Sequence, residues 1–221
     1  MSPPFGSASL ECNAEAVIAA HGVLATIAAN QDCDAAVIAS FGDPGLDAAR
    51  EISAMPVYGL GRSGLRAAAG HGRRYAILTI GPRLRQEIER AAASYGQSGS
   101  LVALRFLDVS VPDAARDRDG VQAAALEMIK ACIEQDGAEA LLLGGAPFVG
   151  MARTLNTYVR APIYDGLEAA LERALAASRL ETAAAADPPR KERRGVSEAL
   201  AARIDQFLQA GAPPNKGGSV L

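Results

Sequence analysis

Two short apolar runs constrain this chain more than any other feature, because each closes on small residues and leads through a helical stretch to a second small run. The first is Ala36-Val37-Ile38-Ala39-Ser40-Phe41-Gly42, leading to Pro56-Val57-Tyr58-Gly59. The second is Leu141-Leu142-Leu143-Gly144-Gly145-Ala146-Pro147, leading to Pro162-Ile163-Tyr164-Asp165-Gly166. Continuous apolar runs of this length suit strands of a parallel sheet, where helices cover both faces. The echo predicts an internal duplication with a pseudo-two-fold relation, which makes Ser40 and Gly145 equivalent strand ends. Ligands of α/β sheets sit outside the carboxyl ends of the strands, so one small-molecule site is expected between the halves.

The rest of the chain keeps the same alternation. Val17, Ala20, Leu24 and Ile27 stand at helical spacing in a helix from Cys12 to about Asn30. Asp43-Pro44 reads as a cap followed by proline in the first turn of a helix running to about Ala54. Strands follow at 56–59, 75–80, 101–107, 140–143 and 162–164, with helices at 62–70, 82–95, 121–135, 149–158 and 166–178 and a polar loop before Val121. The expected class is α/β: two pseudo-symmetric lobes with parallel sheets, residues 1–71 plus 160–179 forming one and 72–159 the other. Residues 180–221 read as a flexible tail with one marginal helix over Val196 to Gln209. The basic cluster from Arg190 to Arg194 within it reads as solvated.

Composition removes several classes of function. Hydrophobic residues make up 49% of the 221, ample for a core. A net charge of -3, only 5% aromatic residues and no tryptophan argue against a nucleic-acid partner. No apolar run is long enough to span a bilayer and the start lacks a signal-peptide pattern, so the expected location is cytoplasmic and no membrane partner is expected. The three cysteines, Cys12, Cys33 and Cys132, are far apart and fit a reducing compartment. His21 and His71 are too few and too separated for a metal site, and none is expected.

Ile38-Ala39-Ser40-Phe41-Gly42-Asp43-Pro44-Gly45-Leu46-Asp47-Ala48-Ala49-Arg50-Glu51, with Pro56 to Gly59, Thr79, Leu143 to Ala146 and Pro162 to Gly166, resembles the aspartate/glutamate/hydantoin racemase superfamily, and within it the hydantoin racemase branch. The resemblance runs from about Ser7 to Ala177. It implies a two-lobed, cofactor-independent enzyme of small molecules, with homo-oligomerisation as a further implication. In that family two cysteines face each other across the substrate, one removing the proton next to a carbonyl as thiolate and the other returning a proton to the opposite face. Here the corresponding positions hold Ser40 and Gly145. A hydroxyl is a far weaker acid than a thiol and glycine offers neither acid nor base, so two-thiol racemisation is not expected. Members of the family also begin with a strand carrying an Asn-rich turn, whereas this chain enters a helix almost at once, which reads as truncation or as a lost central strand.

The individual residues keep alternative readings. Ser40 is a nucleophile, a hydrogen-bond donor to a substrate carbonyl, or a small residue where cysteine is absent. Gly145 makes room for substrate or lets the backbone approach it. Asp43 reads first as a helix cap. Asp165 either orients a ligand, with a role as base, or caps the closing helix. Tyr58 and Tyr164 pack in the core or flank the cleft. Thr79, Phe41, Gly42, Gly144 and Ala146 are expected to hold substrate oxygens, partly through backbone N–H groups. The functions to be weighed are a racemase-like isomerase acting on a cyclic imide, ureide or amino acid derivative, a non-catalytic ligand-binding homologue, and a hydrolase or decarboxylase using the same cleft.

Overall fold

Residues 5–7, 9–177 and 195–209 are described by the computed structural model. The basic cluster Arg190 to Arg194 lies outside these residues. Helix α1 (Asn13–Ala29) starts at Cys12, where the Glu15 side chain accepts from the Cys12 backbone N–H as in a capping box. Strand β1 (Ala36–Ile38), helix α2 (Leu46–Ile52), strand β2 (Val57–Gly59) and helix α3 (Leu60–Ala68) complete the first unit. The second contains β3 (Tyr75–Ile80), α4 (Arg85–Ser94), β4 (Leu101–Leu107), α5 (Val111–Arg116), α6 (Arg118–Glu134), β5 (Ala140–Leu143), α7 (Met151–Leu155) and β6 (Ile163–Asp165). Helices α8 (Gly166–Ala176) and α9 (Glu198–Gln209) close the described chain.

All pairings are parallel. Among the described residues β1 and β2 form one sheet, and a second has the order β4-β3-β5-β6. Every residue of β3 and β5 is buried, as the continuous apolar runs require of strands covered on both faces. One face packs against α6 and α7 through Ile129, Leu141, Leu143 and Leu155, the other against α3 and α4 through Leu65, Ile77, Ile88 and Leu142. The duplication is visible in the register: Ile38 pairs with Gly59 as Leu143 pairs with Asp165, and each second strand runs directly into a helix, α3 or α8. These two helices meet backbone to backbone, where a Cβ on Gly166 would lie 2.7 Å from the Leu60 carbonyl oxygen and one on Gly64 would lie 3.0 Å from the Gly166 Cα.

Three expectations need correction. Helix α2 begins at Leu46 rather than after Asp43, because Asp43 (φ 47) and Gly45 (φ 72) both turn through the left-handed region first. The stretch read as a polar loop contains α5, whose Ser110 side chain accepts from the Asp113 N–H. Residues 160–177 link the two sheets: β6 is bonded to β5, while α8 lies against β1 and β2. Finally, α9 is docked rather than free, with Leu200 buried among α1 and α2 and the Arg203 Nε donating to the Ile52 carbonyl at 2.6 Å.

Candidate functional site

The ends of β1, β3 and β5 open into one cleft of about 670 Å³, lined by Ser40, Phe41, Gly42, Asp43, Thr79 and the 144–147 turn, with further walls from α1 and α4. Ser40, Phe41, Gly42, Thr79, Gly144, Gly145 and Ala146 are thus brought together as expected for strand ends in this topology. Thr79 is almost fully buried, and its hydroxyl donates to the Gly144 carbonyl at 2.6 Å, tying the two central strand ends together. The Phe41 ring fills the space beside Gly144, where a Cβ would approach it to 2.9 Å, so the loop after β1 is seated on the end of β5. Gly145 has φ 114 and ψ 161, a conformation open essentially to glycine alone.

No backbone carbonyl accepts the N–H groups of Phe41, Gly42 or Gly145 among the described residues. Backbone donors without an internal partner at the mouth of a cleft are available to an oxyanion.

Asp165 does not line this cleft. Its Oδ1 accepts from the Leu167 and Glu168 N–H groups as the N-cap of α8, and its Oδ2 accepts from the Gly150 N–H at 2.7 Å. That geometry corrects the reading of Asp165 as base. Tyr58 and Tyr164 are also outside the lining; Tyr164 receives a hydrogen bond from Arg73 at 2.7 Å, and Tyr58 lies beneath the Arg173 guanidinium. Among the described residues no group of three or more His, Cys, Asp or Glu is placed to hold a metal ion.

Three contributions escape sequence reasoning. Asn13, Ala16, Val17 and Ala20 share one face of α1, and this face fronts the cleft, leaving Val17 71% exposed. Their helical spacing was the available signal, but spacing does not distinguish a core stripe from a cleft wall. Glu87 and Arg90 of α4 reach the rim as an ion pair at 3.0 Å. Asp43 caps a helix, but α3 rather than α2: its Oδ1 accepts from the Gly61 N–H at 2.8 Å and its Oδ2 from the Arg62 N–H at 2.6 Å. Burial pushes its carboxyl pKa up to about 6 despite the pull of these amides, of the Tyr95 hydroxyl and of Arg50.

Parallel sheets whose strand ends open together into one cleft place the chain among α/β proteins with a site at the carboxyl ends of the strands. The Asp/Glu/hydantoin racemase signature matches residues 1–174, and the chain belongs to that family. It is 34% identical over 178 residues to a hydantoin racemase of Pseudomonas sp. (strain NS671), covering 78% of this chain and 70% of the relative. A hydantoin racemase of Rhizobium meliloti is 33% identical over 175 residues, covering 78% and 73%. The solved allantoin racemase from Klebsiella pneumoniae superposes with a TM-score of 0.76 at 31% identity, over 80% of this chain and 76% of that one.

Proposed function

We propose that the chain is an isomerase that moves a proton on the carbon next to a carbonyl of a small cyclic ureide of the hydantoin type. The observation that carries this reading is the set of N–H groups at Phe41, Gly42 and Gly145, without an acceptor among the described residues, around one cleft. Loss of a proton beside a carbonyl places negative charge on the oxygen, and preorganised donors lower that barrier. The Ser40 hydroxyl adds a donor at the end of β1, while Thr79 holds Gly144 and keeps the turn carrying Gly145 in place. No cofactor enters this reading.

Water is the base that fits. Both Asp43 oxygens are engaged, and Glu87 is paired with Arg90. A water base predicts slow turnover compared with a thiolate. The test is deuterium incorporation at the ring carbon of 5-substituted hydantoins and allantoin in D2O, followed by NMR. Exchange above the buffer rate, reduced at least tenfold in Ser40→Ala, is expected; no exchange with either compound defeats the reading. The absence of an unengaged acid or base in the cleft among the described residues favours a second reading, a ligand-binding homologue, whose sign would be a thermal shift with these compounds and no exchange.

A further inference from the structure

Asp43 has no part in the proton transfer just described, yet its side chain joins three elements around the cleft. Helix α3 starts directly after β2, and its N-cap, Gly59, has no side chain to satisfy the first-turn N–H groups. The acceptor comes instead from the loop after β1, as the two Asp43 oxygens take the Gly61 and Arg62 N–H groups. The glycines around it are the space this arrangement needs. A Cβ at Gly59 would lie 2.3 Å from the Asp43 carboxyl carbon, and one at Gly61 would lie 2.0 Å from the Phe41 carbonyl oxygen. On the other side the Tyr95 hydroxyl, from the end of α4 on the second sheet, donates to Oδ2 at 3.3 Å. Asp43 is 5% exposed, and its own N–H donates to the Ser40 carbonyl at 3.0 Å.

We propose that Asp43 is a positioning residue whose carboxyl group fastens the Ser40–Gly42 loop to α3 and, through Tyr95, to the opposite lobe, and so aims the Phe41 and Gly42 N–H groups into the cleft. This rests on the reading of the cleft as a site of proton transfer. A protonated carboxyl turns one acceptor oxygen into an O–H that faces donors, so the hydrogen bonds to Gly61, Arg62 and Tyr95 rearrange on protonation. The charged and titratable groups around it are Asp47 and Arg50 of α2, Arg62 of α3 and Tyr95 of α4. They form a chain in which Arg62 lies 4.8 Å from the Tyr95 ring centroid and 3.2 Å from Asp47, and Arg50 lies 3.7 Å from Asp47. With burial holding the carboxyl pKa up, to about 6, the hydrogen bonds that reach the loop change as pH passes through that value.

The experiment follows the backbone amides of Phe41 and Gly42 by NMR across pH in the full labelled chain, together with the exchange rate. Both should titrate with a midpoint of about 6. Tyr95→Phe, a mild change, removes a donor that favours the ionised form and should raise the midpoint. Asp43→Asn should abolish the titration and lower turnover by about tenfold to a hundredfold with a smaller change in KM, as expected of misdirected groups. Amides that do not titrate near this pH, or that titrate identically in Tyr95→Phe, overturn the proposal even where exchange is found. Titration that moves as expected in a chain without exchange upholds the role of Asp43 and defeats the functional reading instead.

Discussion

Replacing the Ser40 hydroxyl by a thiol should convert a donor into a base. A cysteine side chain titrates at about 8.5, so an appreciable fraction is thiolate at about pH 8, where an alcohol is not ionised. Ser40→Cys is expected to raise hydantoin exchange at least tenfold at that pH and to lose the gain on alkylation with iodoacetamide; an unchanged rate would show that the side chain at the end of β1 does not face the reacting carbon. The equivalent change after β5 should behave differently, because Gly145→Cys forces a side chain onto a glycine-only backbone at a cost of about 1–3 kcal/mol. Ser40 and Gly145 were legible from sequence because the duplicated runs place them at matching strand ends. The task of Asp43 was not, since its partners stand 18, 19 and 52 positions away and neighbouring Pro44 suggested a local cap. Asp165 shows the reverse case: its position after β6 fits a ligand-facing role and a helix cap equally well, and only its bonds to Gly150, Leu167 and Glu168 decide for the cap.

At the level of elements, the strands were the most legible because burial on both faces leaves a continuous apolar run, as in Tyr75 to Ile80 and Ala140 to Leu143. Helix α5 was hidden because its six residues are largely polar or small and bury only Ala114. Helix α9 was visible as an amphipathic stretch, but no local pattern could reveal that its apolar face covers α1 and α2. Leu200, 2% exposed in that contact, tests the docking. Leu200→Ala should destabilise the protein by about 2–5 kcal/mol in urea unfolding if the helix is part of the cooperative unit, whereas a freely solvated helix would leave the midpoint unchanged. The α3–α8 contact makes a parallel case. Gly166→Ala places a methyl against the Leu60 backbone and should cost about 1–3 kcal/mol, again read in urea.

For the molecule as a whole, Asp43 gives an expected dependence of stability on pH. Its carboxyl binds a proton more tightly in the folded chain, with a pKa of about 6, than in the unfolded chain, where the ordinary value is 3.8. Its contribution is therefore fully present below 3.8 and is lost as pH rises through about 6, amounting to about 3 kcal/mol across that window. Asp136, held below the usual carboxylate range by its hydrogen bond from Arg105, acts with the opposite sign. The difference between the wild-type chain and Asp43→Asn in chemical denaturation isolates the first effect, and a difference that does not shrink or grow between about pH 4 and pH 7 would contradict it. Among the described residues no helix is long and apolar enough to cross a membrane. The meeting of Gly64 and Gly166 bears on how the cleft works. Helices slide past one another where their packed surfaces allow it, and here main chain approaches main chain with the Leu60 and Leu142 side chains closed in around the contact. The duplicated halves meet there as two plates at a rivet, so a larger side chain at either glycine would part them, while the loops at the strand ends, which line the cleft, lie away from the joint.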